Sequence, residues 1–561
     1  MPRDKALREI TLGRMLDETV DKWPNRDAVV YVDRGLRLTW RQFSDLVDEV
    51  AMGLMALGVQ RGEKVALWAN NVPHWVVLQF ATAKIGAVLL TVNTHYRRAE
   101  LEYLLKQSEC ENVFLMDGFR DIDYVATLYD LVPELKTSER GRLNTAKFPH
   151  LKRVLFLGAE KHRGMYTLPE IQSLAVMTPP EDYQARQDSL SPHDVVNMQY
   201  TSGTTGFPKG VQLTHYNIGN NGYWIGENQR FTENDRLCLT VPLFHCFGCV
   251  PGVLAAVSHG TAMVILENFE PVLAMTSVEE EKCTAIYGVP TMFIAMLEHK
   301  LFSRFDLSSL RTGIMAGSPC PVEFMKRAIV EMHMREITIC YGLTEGSPVM
   351  TQTRIGDSLV QMTETVGRQM PEIEVRIVDP EASGPETNQE CPRGVVGEIC
   401  CRGYNVMKGY YNNPEATAKA IDMDGWLHSG DLGTMDQDGY LAVTGRLKDM
   451  IIRGGENVYP REIEEFLYRM EGILDVQVAG VPSRKYGEEV GAFIILKPDV
   501  AMEPEDVQDF CRGQISRYKI PKYIAFVESY PMTASGKIQK YKLRELAAEL
   551  FPQAMQEPPK A

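Results

Sequence analysis

A loop rich in hydroxyl groups and glycine is the first stretch of the sequence whose residue types could do chemistry. It reads YTSGTTGFPKG and runs from Tyr200 to Gly210. Its hydroxyls can donate to an anion, its glycines let backbone N–H groups approach that anion closely, and its lysine adds a mobile positive charge. The residues concerned are Thr201, Ser202, Gly203, Thr204, Thr205, Gly206 and Lys209. This composition favours a polyphosphate site over a loop without a ligand.

The loop does not follow the P-loop pattern. In that pattern four residues separate two glycines, and Lys with Ser or Thr follows the second glycine directly. Here two threonines separate Gly203 from Gly206, and Gly210 follows Lys209 where a magnesium-binding hydroxyl would be needed. Such a loop suits a site that holds and later releases pyrophosphate, but the loop alone leaves transfer of a terminal phosphoryl group open.

A second stretch, PLFHCFGCV, combines His245 with Cys246 and Cys249 and raises the question of a redox or zinc site. No second C-x-x-C or H-x-x-H pair completes a zinc shell. Free cysteine mostly behaves as a small buried hydrophobe, so we expect both thiols in a packed segment. Taken by itself, His245 is a candidate for a core histidine with a satisfied hydrogen bond.

Apolar runs bounded by turn residues must position these groups. The segment LTWRQFSDLVDEVAMGLMALG has apolar residues at helical spacing and closes on Gly58. Helical and strand patterns then alternate, as in KVALWA, PHWVVLQFATAKIG and AVLLTVN. After the loop, RLCLTVPLF, TAMVILE and TAIYGVP are typical of buried parallel strands. The pattern predicts an α/β fold, and 561 residues exceed what one core accommodates.

Composition narrows the function classes. The chain is 44% hydrophobic and 24% charged, with a formal net charge of −15. This balance argues against nucleic acid as a partner, because binding a phosphate backbone requires Lys and Arg. The N-terminus lacks the apolar run of a secretory signal, and no apolar stretch approaches the roughly 18 residues of a membrane span. With eleven scattered cysteines, we expect a soluble cytoplasmic protein in a reducing compartment.

The loop resembles the signature loop of the adenylate-forming superfamily of acyl-CoA synthetases, luciferases and peptide-synthetase adenylation domains. Five more stretches match that superfamily in its order, and the resemblance runs from about residue 10 to 550. They are PLFHCFG (242–248), YGLTEGSP (341–348), GWLHSGDLG (425–433), GRLKDMIIRGGENVYPREIE (445–464) and PMTASGKIQK (531–540). Six motifs in the family's order make the resemblance specific.

The resemblance assigns the nucleotide contacts. Tyr341 and Gly342 lie against the adenine, Thr344 contacts the α-phosphate, and Glu345 with Thr205 holds Mg²⁺, a hard cation that prefers oxygen ligands. The ribose is bound by Asp431 and Arg446, because a carboxylate can accept hydrogen bonds from ribose hydroxyls. The turn MAGSPCP adds a wall beside the adenine with Gly317, Ser318 and Pro319.

The resemblance also implies two domains, an ATP- and acyl-binding domain over 1–447 and a small mobile α+β domain over 448–561. The larger domain contains parallel-rich sheets packed with helices and a β-barrel-like subdomain. The smaller domain carries Lys537, the lysine that stabilises charge during adenylation. Lys448 is the implied hinge, and Gly454 and Gly455 form the loop beside the incoming thiol. A basic segment from Cys511 to Glu545 fits the phosphates of CoA, or else is a solvated face.

The expected activity is an AMP-forming ligation of a small carboxylic acid to CoA, with ATP and Mg²⁺. His245 lies at the entrance to the acyl site by family position. The acyl pocket draws on Trp224, Phe247, Tyr287, Gly288, Val289, Gly317, Val349 and Met350. These residues offer neither a cation for a second carboxylate nor an acid for an amino group, so we expect an uncharged apolar acid. The sequence most resembles the fatty acyl-CoA synthetases, especially the medium-chain kind, and that resemblance implies a medium-chain fatty acid. A benzoate-type or alicyclic acid is the alternative, since those ligases share the GGENVYP form.

Other uses of the same chemistry are weighed against this activity. A stand-alone adenylation enzyme would load a separate carrier protein, and about 24 residues after Lys537 leave no room for a fused carrier domain. A luciferase-like oxidation would use the same adenylate. A catalytically dead nucleotide-binding protein would be expected to lose Glu345, Asp431, Arg446 or Lys537, and all four are present. Family members are often dimers, so a homodimer is one expected assembly.

Overall fold

The computed structural model describes residues 6–201, 208–317, 320, 322–380, 389–453, 456–532 and 538–555. Its α-helices are α1 Leu12–Lys22, α2 Trp40–Ala56, α3 Pro73–Ile85, α4 Arg98–Gln107, α5 Tyr124–Leu131, α6 Leu168–Leu174, α7 Pro180–Asp188, α8 His215–Asn228, α9 Ala255–His259, α10 Pro271–Glu281, α11 Pro290–Leu297, α12 Val322–Glu331, α13 Leu359–Glu364, α14 Pro414–Ala420, α15 Pro460–Leu467, α16 Pro504–Cys511 and α17 Lys540–Leu550. A π-helix, Gly248–Leu254, precedes α9, and short 3₁₀ turns include Thr344–Gly346.

The strands alternate with these helices through most of the chain. They are β1 Asp27–Tyr31, β2 Leu36–Thr39, β3 Lys64–Trp68, β4 Val88–Thr91, β5 Asn112–Leu115, β6 Gly118–Phe119, β7 Ile122–Asp123, β8 Arg153–Phe156, β9 Tyr166–Thr167, β10 Val195–Thr201, β11 Lys209–Thr214, β12 Arg236–Leu239, β13 Ala262–Ile265, β14 Ala285–Gly288, β15 Thr312–Met315, β16 Glu336–Thr338, β17 Cys340–Gly342, β18 Val349–Gln352, β19 Arg368–Gln369, β20 Ile373–Val378, β21 Gly397–Gly403, β22 Gly409–Tyr410, β23 Leu427–Met435, β24 Leu441–Arg446, β25 Ile451–Arg453, β26 Glu456–Val458, β27 Ile473–Ser483, β28 Gly487–Leu496 and β29 Tyr523–Phe526.

Two large sheets form the centre of the molecule. One has the order β16-β15-β14-β12-β13-β1-β2 and the other β22-β11-β10-β4-β3-β5-β8-β9. Pairing is parallel from β16 through to β1 and from β10 through to β9, with antiparallel strands at the edges. The α/β fold expected from the sequence is confirmed, including parallel pairing of the three apolar runs that became β12, β13 and β14.

Local sequence signals explain the helices that pack on these sheets. Thr39 and Gln42 form a capping box at the start of α2, which satisfies N–H groups of the first turn. Helix α3 begins with Pro73, ends at Gly86 in the left-handed conformation, and is buried along nearly its whole length. A helix that is apolar on all sides belongs in the interior, and α3 packs against α2 and α1.

Smaller antiparallel sheets follow the two large ones. Strands β17-β18-β19 form one, and β20-β21-β23-β24 form another where a β-barrel-like subdomain was expected. Beyond them, β26-β25-β28-β27 with β29 beside β28 forms a further sheet that has its own apolar core, including Ile451, Val476 and Ile494. The boundary at 447/448 and the mobility of this last unit stay predictions. None of the described helices is both long and apolar enough to cross a bilayer.

Candidate active site

The hydroxyl-rich loop joins two antiparallel strands. Strand β10 ends at Thr201 and β11 starts at Lys209, and these two residues are cross-strand partners. A P-loop instead leads from a strand into a helix, so the strand pairing agrees with the exclusion made from the sequence. Four predicted phosphate ligands, Ser202, Gly203, Thr204 and Thr205, lie outside the described residues.

A tight turn between β17 and β18 presents Thr344 and Glu345. The chain passes so close to itself here that a Cβ on Gly342 would lie 1.8 Å from the carbonyl oxygen of Pro348. Only glycine fits at that position, because such a contact is with backbone that cannot move aside. The carbonyl of Glu345 accepts a hydrogen bond of 2.9 Å from the N–H of Met407, which fixes the turn against the following subdomain.

The Glu345 carboxylate is buried and hydrogen-bonded on one oxygen. Its Oε1 accepts from the hydroxyl of Thr201 at 3.2 Å and from that of Tyr410 at 2.9 Å. The Nζ of Lys209 lies 4.9 Å from the centre of the Tyr410 ring. Among the described residues no partner is found for Oε2 of Glu345, so this oxygen can serve as a ligand. The base of the loop, the turn and β22 thus meet at one carboxylate.

A second buried carboxylate, Asp431, is held between two partners. It lies on β23 directly opposite Arg446 on β24. The Nε of Arg446 donates to Oδ1 at 2.9 Å, and the hydroxyl of Tyr341 donates to Oδ2 at 2.9 Å. The attraction of Asp431 raises the pKa of Arg446. Burial raises the pKa of Tyr341 well above its usual value, so this phenol remains a donor.

An apolar cavity of about 60 Å³ opens beside these groups. Its lining residues are His245, Cys246, Phe247, Pro251, Ile314, Ala316, Gly317, Cys340, Tyr341, Gly342, Leu343, Thr344, Pro348 and Val349. The Nδ1 of His245 accepts a hydrogen bond from the N–H of Phe247 at 3.2 Å, which directs the ring. The Sγ of Cys246 lies 3.5 Å from Oγ1 of Thr344. Tyr341 and Thr344 therefore belong both to the polar cluster and to the cavity.

The predicted acyl residues divide into two groups. Phe247, Gly317 and Val349 line the cavity together with His245, whereas Trp224, Tyr287, Gly288, Val289 and Met350 are not among its lining residues. Tyr287 packs behind the wall, with its ring stacked on that of Phe247 at 5.9 Å between centres. Its hydroxyl donates to Gln229, and the side chain is fully buried.

The C-terminal part contributes few described contacts to the site. Burial lowers the pKa of the predicted hinge residue Lys448, whose carbonyl accepts from Arg544 at 2.9 Å. Lys537, Gly454, Gly455, Ser318 and Pro319 fall outside the part of the chain that the structure describes. Within the basic segment, Lys519 and Lys540 form ion pairs with Glu462 and Glu464 at 2.5 Å. These two lysines are engaged within the protein and contribute less free charge to a CoA phosphate.

Tyr410 is the contact that sequence reasoning missed. It lies in KGYYNNP, just before a helix start, and none of the motifs includes it. Strand β22 pairs with β11, placing Tyr410 opposite Val211 and next to Glu345. Burial raises the pKa of its hydroxyl, which keeps the proton available for the carboxylate. The two consecutive tyrosines after Gly409 were the available signal in the sequence. Only the pairing of β22 with β11, which are far apart in the chain, identifies Glu345 as the partner of Tyr410.

Two family models match the sequence. The model described as AMP-binding enzyme matches residues 16–411, and the one described as AMP-binding enzyme C-terminal domain matches residues 462–537. A protein of Bacillus subtilis (strain 168) that is named as an acyl-CoA synthetase, YngI, is 54% identical over 541 residues, covering 96% of this chain and 98% of that protein. The mitochondrial medium-chain acyl-CoA ligase ACSF2 of Danio rerio is 41% identical over 544 residues, covering 96% and 88%.

A solved structure has the same architecture. The anthranilate CoA ligase AuaEII in complex with anthranoyl-AMP superposes with a TM-score of 0.82 at 26% identity, covering 97% of this chain and 98% of that one. The similarity spans the large sheets and the C-terminal unit alike.

Proposed function

Because the chain belongs to the AMP-binding enzyme family and is an ATP-dependent, AMP-forming acid–CoA ligase, we propose that its acid is an uncharged medium-chain fatty acid. One observation carries the proposal. Tyr341 and Thr344 line an apolar cavity while the Tyr341 hydroxyl is bonded to the buried carboxylate of Asp431. An apolar acid and a polar nucleotide can therefore be held side by side, as acyl-adenylate formation requires.

In the first half reaction, a carboxylate oxygen attacks the α-phosphorus of ATP, an O–P bond forms, and pyrophosphate leaves. Asp431 accepts from the ribose hydroxyls while Arg446 keeps that carboxylate oriented. Thr344 donates to the α-phosphate, and the loop from Thr201 to Lys209 binds the departing phosphates. Holding both reactants in one geometry removes much of the entropic barrier of a bimolecular reaction.

The donor set suits Mg²⁺. Glu345 offers an oxygen with no partner among the described residues, and Mg²⁺ prefers carboxylate and phosphate oxygens. We propose that Glu345 and Thr205 hold the ion, which when bound neutralises charge on the phosphates. The chain's own contribution is to orient Glu345, through the donors Thr201 and Tyr410.

The second half reaction needs a different face of the C-terminal domain. We propose that this domain, beginning at residue 448, turns about Lys448 after adenylation, withdraws Lys537 and brings Gly454 and Gly455 to the acyl carbon. The CoA thiol then attacks that carbon, loses its proton, and AMP leaves. Glycine suits this loop because a pantetheine arm must pass close to backbone.

Two findings support the medium-chain assignment: the lining of the cavity and the similarity to the medium-chain acyl-CoA ligase ACSF2 of Danio rerio. Among its lining residues only His245 is basic, so no Lys or Arg there can receive a second carboxylate. A cavity of about 60 Å³ is far below the roughly 300 Å³ of a pocket for a drug-sized ligand, so we expect its walls to move when a fatty chain binds. A benzoate-type or alicyclic acid fits the same apolar lining and is the second candidate. We further propose a cytoplasmic location and a homodimer.

The test is a mass-spectrometric assay of the purified protein with Mg·ATP, CoA and a pooled panel of carboxylic acids. The panel contains short, medium and long fatty acids, benzoates and alicyclic acids, and the readouts are thioester and AMP. A medium-chain thioester as the main product is expected. A ring thioester instead would replace the substrate class, and acyl adenylate with pyrophosphate but no thioester would indicate a carrier protein as acceptor.

The two-conformation mechanism has its own test. Lys537→Ala is expected to block adenylation and to spare thioester formation from supplied acyl adenylate, because the lysine acts in the first step alone. Equal loss of both half reactions would contradict the domain rotation. The exposed lysine variant Lys419→Ala is the matched control.

A further inference from the structure

Three side chains of types that can ligate a metal lie together on the pair of strands β21 and β23. None of them has a role in the adenylation reaction described above. Cys400 on β21 lies directly opposite His428 on β23. Glu398 precedes Cys400 by two residues, which places both on the same face of β21. Glu398 and Cys400 are buried, and His428 is partly buried. The β21–β23 pair, whose register shifts between Glu398 and Cys400, thus brings a carboxylate, a thiol and an imidazole together.

The separations match those of a metal shell. The Nδ1 of His428 lies 2.9 Å from Oε2 of Glu398 and 3.4 Å from Sγ of Cys400. All three ligand atoms lie within 4.8 Å of one another. At tetrahedral angles, Zn–S of about 2.3 Å and Zn–N of about 2.0 Å imply ligand–ligand separations of roughly 3.3 to 3.6 Å. The Glu398–His428 pair would open by only a few tenths of an ångström, and the His428–Cys400 pair by less.

The other ring nitrogen of His428 has the partner expected of a metal ligand. A histidine bound to a metal almost always directs its second ring N–H at a carboxylate or carbonyl. Here Nε2 lies 3.6 Å from Oδ2 of Asp422. Asp422 is itself fixed, because its Oδ1 accepts from the N–H groups of Asp424 and Trp426 at 2.9 Å. The ring is therefore oriented with Nδ1 toward the thiol and Glu398.

We propose that Glu398, Cys400 and His428 bind a divalent ion of borderline softness, Zn²⁺ above all, through Oε2, Sγ and Nδ1. A carboxylate and a thiolate balance the charge of the ion, and the proton of the thiol is released on binding. Thiolate and imidazole favour Zn²⁺ over Mg²⁺, so the site is distinct from the oxygen ligand at Glu345. The proposed Zn²⁺ site does not depend on which carboxylic acid the enzyme activates.

The position of this site links it to nucleotide binding. The second oxygen of Glu398, Oε1, accepts from the N–H of Gly430 at 3.0 Å, one residue before Asp431. An ion on Oε2 leaves that hydrogen bond intact and ties β21 to β23 beside the ribose carboxylate. Metal loading is therefore expected to stabilise this sheet and to raise the temperature of its unfolding transition.

Cobalt absorption of the full-length protein tests the site. Co²⁺ replaces Zn²⁺ in such shells, and a cysteine ligand gives a sulfur-to-cobalt charge-transfer band that oxygen ligands cannot produce. We expect one equivalent of Co²⁺ to produce this band, Zn²⁺ to abolish it, and Mg²⁺ at excess to leave it unchanged. Absence of the band in the wild type would overturn the proposal.

Variants locate the ligands. Cys400→Ser and His428→Gln are each expected to lower Co²⁺ affinity at least 10-fold, and Cys400→Ser to remove the band. Cys391→Ser alters a thiol outside the cluster, and His162→Gln alters a half-buried histidine beside the exposed Asp117 and Glu160; neither is expected to change the titration. Circular dichroism establishes that each variant is folded. Because Cys400→Ser and His428→Gln each remove a different ligand, either variant tests the site if the other fails to fold. A band that persists unchanged in folded Cys400→Ser would refute the assignment.

Discussion

Around Thr344 two halves of the active site meet, and they are built in opposite ways. On the nucleotide side, every carboxylate is already engaged: Glu345 by Thr201 and Tyr410, and Asp431 by Tyr341 and Arg446. On the acyl side, most of the cavity wall is apolar, with Phe247 stacked on Tyr287, and its polar members are few and include His245. Hydrogen bonds fix the side chains of the nucleotide side, whereas packing against neighbouring side chains fixes those of the acyl side.

The difference separates chemistry from substrate choice. Preorganised donors and charges act on the transition state without reorganising, so changes there are expected to reduce the rate for every acid. A hydrophobic pocket discriminates by only about 1 to 3 kcal/mol per methylene group, so changes on the acyl side are expected to redistribute activity among acids. Substitutions matched across the two halves test this division.

The largest effect is expected for Glu345→Gln. It removes the charge that we propose to hold Mg²⁺, and we expect kcat/KM to fall roughly 10²- to 10³-fold, equally for all acids. Pyrophosphate release from purified protein measures this. Tyr410→Phe removes one donor to the same carboxylate and should cost no more than roughly 10-fold. A change of acid preference in Glu345→Gln would break the comparison, and Glu415→Gln on exposed α14 is the control.

Asp431→Asn is expected to come next. The amide keeps an acceptor for Tyr341 but loses the charge shared with Arg446, and hydrogen bonds to charged groups contribute about 1.5 to 3 kcal/mol. The KM for ATP should rise roughly 10- to 100-fold while that for the acid is unchanged. Initial rates at varied ATP and varied acid separate the two values. Asp438→Asn, exposed on the same hairpin, should leave both values as they are.

The fold also contains an acid-sensitive group, the buried side chain of His215. His215 begins α8, its Nδ1 accepts from the N–H of Leu12 at 3.1 Å, and burial lowers its pKa to about 4. The unfolded chain takes up a proton near pH 6.5 and the folded chain does not, so this contribution is complete above pH 6.5 and lost as pH falls to about 4. Between pH 7.5 and 5 the loss is about 2 kcal/mol.

Urea unfolding at the two pH values measures this loss. His215→Asn keeps an acceptor for Leu12 without titrating, and should lose about 2 kcal/mol less than the wild type. His193→Asn alters an exposed histidine and should behave as the wild type does. If His215→Asn loses as much unfolding free energy between the two pH values as the wild type does, protonation of His215 is not the cause of the loss.

The smallest effect is expected on the acyl side. Phe247→Leu widens the cavity, and the preferred fatty acid should lengthen, with roughly a 10-fold change in the ratio of kcat/KM between long and medium chains. The KM for ATP should not move. Phe231→Leu is the matched control, since Phe231 also stacks on Tyr287, at 6.4 Å between ring centres, but does not line the cavity. A shift in preference caused by Phe231→Leu alone would assign selectivity to the packing behind the wall.

The sequence predicted the parts of this site that lie within short motifs. Thr344 and Glu345 share one turn, and the positions of the apolar runs predicted β12, β13 and β14 correctly. Contacts between distant segments were inaccessible, because burial and partner choice depend on how strands pair. Tyr410 reaches Glu345 only through the pairing of β22 with β11, and the stacking of Tyr287 on Phe247 likewise depends on contacts between distant segments.

The pairing of Thr201 with Lys209 has a consequence for product release. In a P-loop the chain enters a helix, and the helix dipole places about half a positive charge permanently against the phosphate. Here the described residues on either side of the loop form two paired antiparallel strands, so neither flank places a helix N-terminus directly against the phosphates. Its expected anion donors are hydroxyl groups, one lysine and the backbone N–H groups beside its glycines. We therefore expect rotation of the hydroxyl and lysine side chains to assist the release of pyrophosphate. A helix terminus, as in a P-loop, cannot rotate away from its ligand in this manner.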